Sequence, residues 1–154
     1  MMSLSCKVLS TLKGKTLVTA ESLTGGGIGA ALTAVPGSSA FYKGGIISYC
    51  DEIKNRILGV PDAVLSQHGA VSAQTAEYMA SGARQLLGAD IAVSVTGLAG
   101  PDGDDFGHEV GTVYIGYCDE LRCNAREYRF TGSREEVRNL TIASSLELIL
   151  EYCG

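Results

Sequence analysis

Tryptophan is absent, proline occurs only 3 times and histidine twice in a chain of 154 residues. Lysines and arginines nowhere gather into a run, and the net charge is -5. That excludes a surface built to track nucleic-acid phosphates, though not a local anion site made of backbone N–H groups. No apolar stretch approaches the roughly 20 residues of a membrane span, so no membrane partner is expected. The opening MMSLSCKVLS has no long apolar segment of secretory type, and a cytoplasmic location is expected. CxxC pairs are also missing. The five cysteines (Cys6, Cys50, Cys118, Cys123 and Cys153) are odd in number, and free thiols in a reducing compartment are the simplest reading. Cys118 and Cys123 are placed to meet across a hairpin, but two separate half-buried strand thiols is the plainer account. Few prolines beside 20 glycines argue for tight loops around a packed sheet, not for disorder.

What is present is a regular alternation. A short helix over 3–12, with Leu4, Val8 and Leu12 on one face, gives way to the β-branched run TLVTA at 16–20. The glycine loop ESLTGGG follows, then a small-residue helix at 28–35 that Pro36-Gly37 ends. GGIISY (44–49) reads as a second strand. Asp51 and Glu52 favour the start of a short helix that Gly59 closes, and Pro61 opens another running to Gly69. The clearest helix spans 72–88, with Ala76, Met79, Ala80, Ala83, Leu86 and Leu87 in period and Gly88 as its stop. DIAVSVTG (90–97) is a buried strand, and the strands 110–118 and 121–130 form a hairpin about Asp119-Glu120. Ser133 and Glu136 make a capping box for a last helix with Val137, Leu140, Ala143, Leu146 and Leu150 inward. The expected fold is α/β: a single three-layer domain over 1–154, with a mixed sheet flanked by helices.

In such sheets ligands bind beyond the carboxyl ends of strands, and two glycine loops fall there: 21–27 and 96–103. Within the first, Ser22 is either a helix cap or a nucleophile, and a serine hydroxyl needs a base. The scarcity of histidine matters here. His68 and His108 have no orienting acid nearby in sequence, so a Ser-His-Asp triad lacks specific support. The G-x-S-x-G elbow and the P-loop are both absent. A lysine serves as base when burial lowers its pKa, and Lys54 in SYCDEIK is the candidate, with Tyr49 as relay or support; the plainer reading is a solvated surface lysine. The N–H groups of Thr24, Gly25 and Gly26 suit an oxyanion or a phosphate, and the loop TGLAGPDG repeats the offer. Arg134 and Arg138, one turn apart, either meet a phosphate or balance Glu135 and Glu136. Asp102, Asp104 and Asp105 near His108 lack the calcium-loop pattern and read as a solvated acidic turn, so no metal site is expected.

The segments AESLTGG (20–26), PGSSAFYKGGIISYCDEIKNRILGV (36–60), QHGAVS (67–72), TGLAGPDG (96–103) and VGTVYIG (110–116) together resemble the CinA C-terminal family. The resemblance covers nearly the whole chain. It implies a compact α/β fold and hydrolysis of nicotinamide mononucleotide to nicotinate mononucleotide and ammonia by a Ser-Lys mechanism without metal or other cofactor. It implies Ser22 as nucleophile, Tyr49 and Lys54 as its catalytic partners, and Thr24, Gly25, Gly26, Thr96, Gly97 and Gly100 as substrate-binding positions; Arg134 or Arg138, from their spacing, is expected on the 5′-phosphate. The partner expected is a small pyridine nucleotide, in a homo-oligomer, and the chain reads as a stand-alone form of the domain. Asp51 stands where the family usually has Asn, Leu23 where Cys is frequent, and Asp104 where a second Gly is common. A negative charge at Asp51 favours protonated Lys54 and weakens it as a base. The rival readings are a non-catalytic nucleotide-binding or protein-interaction module, and a hydrolase of another small amide.

Overall fold

The computed structural model describes residues 2–154. Its five strands are β1 (Leu17–Glu21), β2 (Tyr42–Ile47), β3 (Ile91–Gly97), β4 (Thr112–Cys118) and β5 (Cys123–Arg129), in the order β2-β1-β3-β4-β5. The first three are parallel, and β4 and β5 run antiparallel to complete a mixed sheet. Among the described residues six α-helices surround it: α1 (Met2–Thr11), α2 (Gly27–Thr33), α3 (Asp51–Arg56), α4 (Asp62–His68), α5 (Ala73–Leu87) and α6 (Arg134–Cys153). Helices α1, α2 and α6 contact one another on one side of the sheet, and α5 lies across β1, β3, β4 and β5 on the other.

The strand sequences account for their places. β1 (LVTAE) and β3 (IAVSVTG) are buried almost end to end, as central parallel strands covered on both faces must be. β5 (CNAREYR) carries charges on an outer edge, where exposed pairing groups would otherwise invite association. Two apolar clusters fill the layers: Leu17, Ile28, Val93, Ile115 and Leu146 on the α6 side, and Val18, Ala20, Met79, Ala83 and Ala92 beneath α5. Alanines on α5 permit close approach, and at Gly82 a Cβ would collide with the Leu58 carbonyl. The Ser133–Glu136 capping box forms, and Ser72 caps α5 by accepting the Thr75 N–H.

Three expectations are corrected. Leu140 is 42% exposed, because α6 turns Thr141 and Ser145 inward instead. Their hydroxyls donate to the Val137 and Thr141 carbonyls one turn back, so they enter the core satisfied, and hydrophobicity alone does not find them. Leu86, in the last turn of α5, is also exposed. Cys118 and Cys123 are registered directly opposite each other beside the β4–β5 turn, with Cα atoms 4.0 Å apart and their sulfurs bonded as a disulfide, whereas Cys6, Cys50 and Cys153 are free. Strand ends also move: Glu21 belongs to β1, and Tyr49 lies beyond β2.

Candidate active site

Parallel pairing of β1 with β2 brings two distant segments to the same end of the sheet. Ser22 follows β1 directly, and α3 begins four residues after β2 ends. The Nζ of Lys54 lies 3.0 Å from the Oγ of Ser22 and donates to the Ser48 carbonyl at 2.8 Å. Both groups are interior, with Lys54 2% and Ser22 7% exposed. Lys54 points inward because α3 is short and presents one face to the sheet end; its neighbours Glu52 and Arg56 stay in solvent. Burial pushes the Lys54 pKa down, and the nearby Asp51 and Cys50 push it back up without cancelling the effect. Among the described residues no carboxylate forms an ion pair with it. An amine that is buried, unpaired and hydrogen-bonded to one carbonyl has its uncharged form favoured, with a lone pair available to the serine.

The first glycine loop is organised from within. Gly25 and Gly26 take φ values of 59° and 99°, left-handed conformations that favour glycine. Ser22 is not the cap of α2. The carboxylate of Glu21, 2% exposed, takes that role by accepting the N–H groups of Ile28 at 2.9 Å and Gly29 at 3.0 Å. The start of α2 is therefore already filled by an anion of the chain itself. Gly25 N–H donates to the Ser22 carbonyl, while the N–H groups of Leu23 and Thr24, two nearly inaccessible residues, have no acceptor among the described residues. Arg138 closes the loop from α6, donating to the Leu23 carbonyl at 2.9 Å and the Thr24 carbonyl at 3.2 Å.

A cavity of about 600 Å³ opens above Ser22 and Lys54. Tyr49, Asp51, Thr96, Gly97, Gly100 and Arg134 line it; Thr24, Gly25, Gly26 and Arg138 do not. Tyr49 is 63% exposed, and its hydroxyl accepts a bond from Arg134 at 3.0 Å instead of meeting Lys54. Arg134 also donates to the Gly100 carbonyl, so α6 ties the second glycine loop to the end of β2. Thr96 donates to the Ala70 carbonyl at 2.7 Å, and Phe106 lies against Gly69. Asp104 anchors the loop, accepting the His108 N–H, the Phe106 N–H and a 2.7 Å contact with the His108 ring. Sequence reasoning missed Glu21, Ser48 and the anchoring role of Asp104. Glu21 had a signal, an acid ending an apolar strand seven residues before Ile28; Ser48 acts through its carbonyl and had none.

With this geometry in hand, comparison with known proteins is informative. The family model for the CinA C-terminal domain matches residues 2–153. The chain belongs to this family. A CinA-like protein of Geobacter sulfurreducens is 48% identical over 135 residues, covering 88% of the chain and 33% of the relative. A CinA-like protein of Synechococcus sp. (strain CC9311) is 50% identical over 140 residues, again covering 88% and 33%. The chain thus spans about a third of the length of the curated relatives it matches. A CinA superfamily protein from Klebsiella pneumoniae 700603 superposes with a TM-score of 0.96 at 35% identity, covering 99% of this chain and 96% of that one. A competence/damage-inducible protein from Agrobacterium tumefaciens gives 0.93 at 36% identity, with 97% and 93% covered. The mixed α/β sheet is the fold these proteins share.

Proposed function

We propose that the chain hydrolyses the carboxamide of nicotinamide mononucleotide, releasing nicotinate mononucleotide and ammonia. The observation that carries this reading is the 3.0 Å approach of a buried, unpaired Lys54 amine to Ser22 at the floor of a cavity. Lys54, uncharged, takes the Ser22 proton as Oγ attacks the amide carbon. The Leu23 N–H, at the cavity wall and without an acceptor among the described residues, suits the oxyanion. Lys54 then returns the proton to the leaving nitrogen, and ammonia departs from an acyl-enzyme. Water, deprotonated by Lys54, releases the carboxylate product and restores Ser22. Arg134 lines the cavity, whereas Arg138 and the start of α2 do not, so the phosphate end is assigned to Arg134. Tyr49 then serves as a wall and a partner of Arg134 more than as a proton relay.

The test is to incubate purified protein with nicotinamide mononucleotide and measure ammonia and nicotinate mononucleotide. Turnover that disappears in Ser22→Ala is expected; equal rates in the two proteins would falsify the reading. Asp51 supports the rival, a binding module, because its charge opposes neutral Lys54. Calorimetry showing nucleotide binding with no product formed would favour that rival.

A further inference from the structure

Glu21 stands immediately before the candidate nucleophile, buried, and among the described residues it forms no ion pair. Its Oε1 accepts from the Thr24 hydroxyl at 2.6 Å and from Ile28 N–H at 2.9 Å. Its Oε2 accepts from Gly29 N–H at 3.0 Å and from the Thr19 hydroxyl at 3.4 Å. Every group facing the carboxylate is thus a donor. Residue 29 is a glycine, and a Cβ there would sit 2.8 Å from the Tyr42 hydroxyl that bonds Thr19 at 2.7 Å, so the glycine keeps this donor cluster closed. The same residue works on the other side of the serine through its main chain. The Glu21 carbonyl accepts Ser48 N–H at 2.7 Å and the Ser48 hydroxyl at 3.3 Å, and the Ser48 carbonyl in turn accepts from Lys54. One residue therefore fixes the turn that carries Ser22 and the strand end that carries the acceptor of Lys54.

We infer that Glu21, as an ionised carboxylate, is a positioning residue for Ser22: it holds the 22–24 turn so that Oγ stays on Lys54 and the Leu23 and Thr24 N–H groups stay free. The inference rests on the Ser22–Lys54 reading above. Its chemical content is that both oxygens must accept. Glutamine matches glutamate in shape but turns an NH₂ toward at least one of the four donors, leaving that donor unpaired in the interior. Aspartate keeps both acceptors while losing a methylene of reach. A role in packing alone ranks Glu21→Gln above Glu21→Asp, and a role as double acceptor ranks them the other way.

The experiment uses a dialkyl fluorophosphonate, which labels a reactive serine by forming an O–P bond at Oγ while fluoride leaves and the hydroxyl proton passes to Lys54. Label is counted by intact mass, and thermal unfolding confirms that each variant is folded. Glu21→Gln is expected to label about a hundredfold more slowly than the unmodified chain, the scale of a displacement near 1 Å. Glu21→Asp is expected to retain more of the rate than Glu21→Gln. A Glu21→Gln rate within about threefold of the unmodified chain, or one above Glu21→Asp, overturns the inference. If Glu21→Gln does not fold, the isosteric Thr24→Val removes the 2.6 Å bond and carries the same test: a roughly tenfold fall supports the role, and an unchanged rate overturns it. Equal labelling of the unmodified chain and Ser22→Ala overturns the serine-lysine reading itself, and this inference with it. A labelled Ser22 with no turnover of nicotinamide mononucleotide sinks only the choice of substrate.

Discussion

The two glycine loops occupy equivalent places, each beyond the carboxyl end of a parallel strand, yet they are built in opposite ways. The loop after β1 is braced from inside the protein: Glu21 holds the start of α2, and Arg138 holds the Leu23 and Thr24 carbonyls. The loop after β3 faces the cavity and is held at its rim by Asp104 and by Arg134 on the Gly100 carbonyl. Burial opposes ionisation of Asp104, but bonds from the His108 ring, the His108 N–H and the Phe106 N–H hold its carboxyl below the ordinary aspartate range. Similar composition has produced a rigid platform in one case and a substrate-facing wall in the other. Helix α6 supplies an arginine to each, and the difference lies in where it lands: Arg138 on the Leu23 and Thr24 carbonyls away from the cavity, Arg134 on the Gly100 carbonyl at its wall.

The sharpest way to break that contrast is at the platform. Lys54→Met is expected to lower turnover by roughly 10⁴-fold or more, as loss of a catalytic base does in serine hydrolases. The same variant is expected to unfold at a higher temperature near neutral pH. The folded-state pKa of Lys54 lies below its ordinary 10.5, so the unfolded chain binds the extra proton between the two values, and stability rises with pH across that window. The thermal advantage of the methionine variant should therefore shrink as pH is raised toward 10.5. A thermal difference between the variant and the unmodified chain that stays constant from neutral pH to 10.5 would show that burial of this amine carries no penalty.

Arg138→Gln comes next. It removes two charge-assisted bonds from the platform, about 3 kcal/mol in total, and each kcal/mol shifts Tm by roughly 2–4 °C at this size. Turnover should fall with little change in KM, since Arg138 does not line the cavity. Arg134→Gln acts on the wall and should invert the pattern: KM rising about tenfold, kcat nearly kept and Tm little moved. If both arginine variants altered kcat and KM alike, the distinction between platform and wall would fail. Asp51→Asn gives the smallest effect, a shift of the rising limb of kcat/KM to lower pH. Removing a charge that holds the Lys54 pKa up lets the neutral amine form earlier. A limb that stays in place would remove Asp51 from the electrostatics of the site.

Much of this was legible beforehand. The alternation of apolar strands with glycine-ended helices gave the layered sheet, and the capping box at Ser133 and Glu136 marked where α6 starts. Ser22 and Lys54 were legible as candidates by resemblance, but the residues between them gave no reason for contact. Arg134 and Arg138 looked interchangeable, one helical turn apart, and only their surroundings divide them. Thr141 and Ser145 were absent from the expected inward face, because their hydroxyls find partners only in the formed helix. Glu21 drew no role from the sequence, since a carboxylate that caps a helix from the preceding strand needs the turn to be closed first.

The order of residues by itself determined the strands, the helix ends and the positions where backbone must bend as only glycine can, because these depend on neighbours within a few residues. Tertiary structure alone decided that a lysine 32 positions away from a serine comes to rest against it. It also decided that this lysine lies where its charge is disfavoured. Both follow from the pairing of β1 with β2 and from exclusion of water at their ends, and neither distance nor dielectric is a local property of the chain.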